Sequence, residues 1–102
     1  VTDITTWQAD VLKSLGHPTR VKIIDLLRGG ERCVCELMAE LGLEQSNVSQ
    51  HLGILKKAGL VACRKDGLRV MYWITDPRVI EVIDLVHAML VARARKTLAV
   101  LT

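Results

Sequence analysis

Aromatic rings are nearly missing from this sequence. It has no phenylalanine, and Trp7, Tyr72 and Trp73 are its only large rings in 102 residues. The interior must therefore be aliphatic, and half of all residues are hydrophobic. That surplus of Leu, Val and Ile exceeds what one small core needs and points to an interface between subunits. Long apolar runs are also lacking. None approaches the roughly 18 residues of a membrane span, and no signal-peptide pattern opens the chain, so a cytoplasmic protein without a membrane partner is expected. Cysteine is scarce and odd in number, at three. Three thiols make no disulfide framework, and in a reducing compartment they stay available for a metal. The sequence has no Cys-x-x-Cys, no phosphate-cradling glycine loop and no nucleophile–His–Asp constellation, which argues against an enzyme.

What is present is unevenly placed. The net charge is +3. Residues 1 to 44 are acidic on balance, whereas residues 45 to 75 set Lys56, Lys57, Arg64, Lys65 and Arg69 against Asp66 alone. Positive charge gathered in the middle third suggests a polyanion, most simply nucleic acid; a solvated basic face would look the same from charge alone.

The spacing of apolar residues predicts a single domain over residues 1–102, mainly α with a small β-hairpin. Thr5 or Thr6 can cap a first helix that Gly16 stops. Pro18 suits the first turn of a second helix, whose stripe is Ile23, Ile24, Leu26 and Leu27. A third short helix runs from about Val34 to Leu41 and breaks at Gly42. A fourth begins near Gln45 or Ser46, buries Val48, Leu52 and Leu55, and ends at Gly59. After Gly59 the period becomes alternating, and "LVACRKDGLRVMYWI" reads as a hairpin with Asp-Gly at its tip. Asp76-Pro77 opens a final helix to about residue 100, apolar around much of its girth, as expected of a helix covered by a second subunit. No linker, internal repeat or low-complexity tract interrupts the chain.

Two short helices joined by a glycine-containing turn and followed by a basic hairpin describe a winged helix-turn-helix. The second helix of such a pair enters the major groove of double-stranded DNA. Its leading positions here are Gln45, Ser46, Asn47, Ser49, Gln50 and His51. Asn and Gln can pair with adenine in bidentate fashion, and Ser can serve a base or a phosphate. No charge falls between Gln45 and Leu55, whereas an ordinary exposed helix would carry Glu–Lys pairs. His51 can equally hydrogen-bond inside the domain. Arg64, Lys65 and Arg69 flank the hairpin tip, within reach of the DNA backbone or a minor groove. Lys56 and Lys57 sit at the far end of the fourth helix, where they also complement its dipole.

The segments "LKSLGHPTRVKIIDLL", "CVCEL", "SNVSQHLGILKKAGLV" and "RKDGLRVMYWI" together resemble the ArsR/SmtB family of metal-responsive bacterial repressors, over residues 7 to 91. The resemblance implies a homodimer joined through the first and last helices, bound to an inverted-repeat operator and released by an inducer.

Cys33 and Cys35 stand where the third helix should begin. Within a regular helix, residues i and i+2 point about 200° apart and cannot share one ion, whereas in an extended segment they point the same way. Capture by both is therefore expected to unwind the first turn of the helix that supports the reader. Two soft thiolates select thiophilic ions over Mg²⁺ or Ca²⁺. The resemblance of "CVCEL" to the family's metalloid box implies As(III) or Sb(III) as inducer, with no cofactor needed for folding; cadmium, lead or zinc is the alternative. Cadmium-type members add N-terminal cysteines, and residues 1–32 have none. The third cysteine of arsenical repressors falls here on Met38, a thioether and a weaker candidate. Cys63 is a third ligand only if the fold brings it close, and otherwise a small buried hydrophobe. A thiol-redox or persulfide sensor remains open, although cysteines two apart inside a helix pair poorly. Asp84 and His87 lack the spacing of a last-helix zinc site, and His17 reads as structural.

Overall fold

The structure is a computed structural model describing residues 3 to 101. Five helices and a three-stranded antiparallel sheet follow in the order α1 (Ile4–Leu15), α2 (Pro18–Leu26), a 3-10 turn (Leu27–Gly29), β1 (Arg32–Cys33), α3 (Val34–Leu41), α4 (Gln45–Lys57), β2 (Val61–Asp66), β3 (Arg69–Ile74) and α5 (Arg78–Leu101). The arrangement is a winged helix-turn-helix.

The core is aliphatic. Ile23 and Ile24 of α2, Leu37 of α3, and Val48, Leu52 and Leu55 of α4 are all essentially inaccessible. The 48/52/55 spacing puts three side chains on one stripe of α4, and full burial of each stabilises by roughly 1.5–3 kcal/mol. Gly42 ends α3 at φ 65°, where its N–H donates to the Met38 carbonyl. That left-handed conformation makes the tight turn into α4 and suits glycine.

Three local details differ from the sequence-based expectations. The cap of α1 is Asp3, not Thr5 or Thr6: its carboxylate accepts from the Thr6 N–H and hydroxyl, because the helix starts earlier, at Ile4. The hairpin loop is Gly67-Leu68, with Asp66 still paired to Arg69, and Gly67 takes φ 63° at the first loop position, as in a type II′ turn. Finally, the hairpin is not alone. Residues 32–33 form β1 on the far edge of β3, with Arg32 opposite Tyr72 and Cys33 opposite Met71. Two residues have no period to display, so the pattern of the sequence carried no sign of that strand.

The last helix is long and open. Leu85, Val86, Met89 and Leu90 of α5 are exposed, as are Ile4, Trp7 and Leu12 of α1. A groove of about 360 Å³ between the two helices is lined almost wholly by aliphatic side chains, including Leu12, Leu15, Val82, Val86 and Leu90. Arg28 pins α5 to the end of α2 with two hydrogen bonds to the Asp84 carboxylate, at 2.9 and 2.8 Å. Asp84 is thus engaged by Arg28, with His87 also acting on its carboxylate. No helix among the described residues is long and apolar enough to cross a membrane.

Candidate nucleic-acid interface and thiol pair

The polar block of α4 stands outward. Gln45, Ser46, Asn47, Ser49 and Gln50 are exposed, and none of their side chains has a hydrogen-bond partner among the described residues. Glu44 caps α4 in an extended conformation without a side-chain hydrogen bond, so the first N–H groups of the helix also stay open to an acceptor. This end of α4 can meet base edges and phosphates together.

His51 is arranged differently from its five neighbours. It is half-buried against α2, its ring tilted on that of His17 with centroids 4.4 Å apart. Arg20 donates from Nη1 to His51 Nδ1 at 3.3 Å and from Nε to the Ser14 carbonyl at 2.6 Å. His17 caps α2, its Nδ1 accepting from the Thr19 N–H. Burial first, then His17 and Arg20, hold the His51 ring below its ordinary pKa. His51 therefore fastens the reading helix to α1 and α2. Arg20 does the same work, and only its place at the end of the His-Pro-Thr-Arg run marks it in the sequence.

The basic residues divide as well. Arg64 is held by Glu31 at 2.6 Å and lies 4.0 Å from Asp66, which offsets much of its charge. Lys56 donates to the Cys63 sulfur at 3.3 Å. Lys57 and Lys65 have no ion pair among the described residues, and Arg69 donates to the Met71 thioether at 3.5 Å and acts on the nearby Glu36 carboxylate. Among those residues, Lys65 and Arg69 at the hairpin tip thus have no carboxylate bound to them directly.

The thiol pair overturns one expectation. Cys33 is the N-cap of α3, extended at φ −76° and ψ 152°, and Cys35 is the second residue of an intact helix. The cap's extended torsion swings its side chain over the first turn, so both sulfurs converge and are joined here as a disulfide across a Cα–Cα distance of 5.2 Å. The first turn need not unwind for the two to meet, because only one of them belongs to it. Cys33 and Glu36 close a capping box: Cys33 Sγ accepts from the Cys35 N–H at 3.0 Å, and the Glu36 carboxylate accepts from the Cys33 N–H at 3.1 Å. The bond from the Cys33 N–H, with Arg32 alongside, holds the Glu36 carboxyl below its usual range.

A groove of about 300 Å³ opens over the pair, shared by Cys33, Cys35 and Met38 with Gln45 and Ser49 of the reader and Leu68 and Arg69 of the hairpin. Met38 is therefore at the site. Cys63 is not. Lying on β2, it pairs with Tyr72, across β3 from the strand that carries Cys33. Two strand spacings, about 10 Å, separate them. Cys63 instead touches Lys56 and Tyr72, whose phenol is pushed up by burial and then by its hydrogen bond with Cys63. Among the described residues no cluster of three or more His, Cys, Asp or Glu side chains could hold a metal.

Comparison with known proteins agrees with this geometry. Residues 17–62 match the family described as "Bacterial regulatory protein, arsR family". An HTH-type transcriptional regulator of Methanocaldococcus jannaschii is 48% identical over 82 residues, covering 79% of this chain and 92% of the relative. A biofilm growth-associated repressor of Xylella fastidiosa is 30% identical over 88 residues, covering 86% and 77%. The homodimeric winged helix-turn-helix domain Mb0332 of Mycobacterium bovis superposes with a TM-score of 0.81 at 31% identity, covering 91% of this chain and 86% of that one. The chain belongs to the arsR family of bacterial regulatory proteins, and it is a DNA-binding transcriptional regulator rather than an enzyme.

Proposed function

We propose that the chain works as a homodimeric repressor, seated on an inverted-repeat operator when empty and released when trivalent arsenic or antimony bridges Cys33 and Cys35. The observation that carries this reading is the convergence of two sulfurs in a groove whose other walls belong to the reading helix and the hairpin. Repression and pairing are supported by the Xylella repressor and the Mycobacterium homodimer, and pairing also by the exposed aliphatic faces of α1 and α5. Gln45, Ser46, Asn47, Ser49 and Gln50 read the major groove, and Lys65 and Arg69 grip the backbone.

In their reduced form the two thiolates are a soft donor set that fits a thiophilic ion. A bridging ion adds bulk between Cys35, Ser49 and Arg69, and so moves the reading helix and hairpin relative to each other without melting α3. Linkage requires the inducer to bind free repressor more tightly than DNA-bound repressor by the same factor with which it weakens operator binding, about 5- to 150-fold for a coupling of about 1–3 kcal/mol. The test is operator affinity with and without arsenite in wild type and in Cys33→Ser/Cys35→Ser. The wild type loses affinity within that range and the double variant does not respond; an unchanged response in the variant puts the sensor elsewhere. Titration with Cd²⁺, Pb²⁺ and Zn²⁺ in parallel decides among thiophilic ions.

The disulfide between Cys33 and Cys35 favours a second reading, a redox sensor. A hydroperoxide would oxidise the two thiols to the disulfide and leave water and the corresponding alcohol. Operator release by peroxide in metal-free buffer, reversed by dithiothreitol, would select this reading over the first.

A further inference from the structure

We infer that Leu68, at the tip of the hairpin, is a specificity-determining residue for DNA: it enters the minor groove beside each half-site and favours A·T pairs there. This rests on the operator-binding reading above and adds a sequence determinant to it.

The turn does not ask for a leucine. Gly67 and Leu68 form the two-residue loop, and Gly67, at φ 63°, supplies the conformation that the turn requires. The position after such a glycine ordinarily takes a small polar residue, Asn, Asp or Ser. Here it holds an apolar side chain that is fully exposed. Single exposed apolar residues are common on protein surfaces, so exposure alone says little. The placement says more. Every other large apolar side chain that is more than half exposed among the described residues lies on α1 or α5, the faces assigned above to the second subunit. Leu68 belongs to neither face, and it stands between two cations. Lys65 has no ion pair among the described residues, and Arg69 bonds a thioether, a weak acceptor that it can exchange for a phosphate. Asp66, the one acid between Arg64 and Arg69, lies 4.0 Å from Arg64 Nη1, which offsets its charge.

Such a tip suits the minor groove. That groove is about 6 Å wide between two phosphate walls, too narrow for a helix but open to a tight hairpin tip. Lys65 and Arg69 meet the walls, and Leu68 between them meets the sugars and the floor. Leucine is among the apolar side chains that act as wedges in minor grooves. The floor then decides which pairs fit. A·T and T·A present only acceptors there, whereas G·C adds the guanine 2-amino group. That group raises the floor, and an apolar side chain would strip it of water without replacing its hydrogen bond. A·T pairs under the tip are therefore preferred, by a contact that neither the cations nor the reading helix supplies.

The experiment uses the reduced full chain and duplexes that it selects from a random-sequence library. The pairs flanking each selected half-site are then set to A·T, G·C or I·C, inosine being guanosine without its 2-amino group, and affinity is read by fluorescence anisotropy. Wild type should bind the A·T flank about 5-fold or more tighter than the G·C flank, and I·C should recover most of the loss. Leu68→Ala should bind the A·T flank several-fold more weakly and shrink the A·T-over-G·C ratio to within about 2-fold. Its Tm and salt dependence should stay as in wild type, because the exposed side chain packs in no core and neutralises no phosphate. Lys65→Ala should instead weaken both flanks alike and lower the salt slope by about 1. A Leu68→Ala variant that keeps the full A·T-over-G·C ratio, or a wild type indifferent to the flank, overturns the inference and leaves operator binding intact. If wild type enriches no duplex and binds none in a salt-sensitive manner, the operator-binding reading itself fails.

Discussion

His51 faces Arg20, and that contact decides where its proton sits. A guanidinium can only donate, so Nδ1 must keep its lone pair and the neutral ring carries its hydrogen on Nε2. Protonation would set an N–H against the Arg20 donor, beside His17. The folded chain therefore resists the proton, and burial with the two neighbours holds the ring below its ordinary value near 6.5. The sign follows: below about pH 6.5 the unfolded chain binds a proton that the folded chain refuses, so stability present at neutral pH declines as the solution is acidified toward the folded pKa. His51→Gln should accordingly flatten the fall in Tm between pH 7.5 and 5.5; parallel curves for wild type and variant would remove the linkage. At this scale residue types are legible in the linear order and their pairing is not. His51 stands in a polar row of six and looks like its neighbours, and only the fold shows that it turns inward. For the cysteines the expected helix start at Val34 holds, but Cys33 then lies just before the helical turn rather than in it, and its ψ of 152° reverses where its sulfur points.

Among the elements, α4 is the most legible. Its stripe of Val48, Leu52 and Leu55 and its uncharged outer face both show in the linear order, and its bounds are within two residues of expectation. The same packing makes it the weakest place to lose volume. Leu52→Ala should cost about 2–5 kcal/mol, measured by urea denaturation, because the inaccessible side chain contacts a core closed by α2 and α3 that cannot collapse onto the gap. A cost under about 1 kcal/mol would mean that the site relaxes far more than a packed aliphatic core does. The hairpin is equally plain, from its alternation and from Gly67. Strand β1 is not, since pairing with β3 is a tertiary event that residues 32–33 do not announce locally.

For the molecule as a whole, the excess of aliphatic residues has a definite location. Leu85, Val86, Met89 and Leu90 form a ladder along α5 at helical spacing, and Trp7 and Leu12 of α1 add to the apolar surface left uncovered. Leu85→Glu with Met89→Glu should halve the mass seen in sedimentation while leaving the helical signal in place. Operator affinity should then fall about 100-fold or more, as two linked half-site contacts become one, and its dependence on salt should flatten because fewer phosphates are neutralised per particle. A double variant that still sediments as a dimer would move the interface off α5.

Cys33 belongs to two structures at once. It caps α3, the scaffold on which the reading helix rests, and it is also a rung of the sheet, opposite Met71 in the strand that rises to the hairpin tip. Whatever tugs on this one residue pulls on both arms that would clasp the duplex, with no relay of intermediate side chains to carry the news. On the proposed reading detector and clasp share a single rivet, which gives so small a chain room for both.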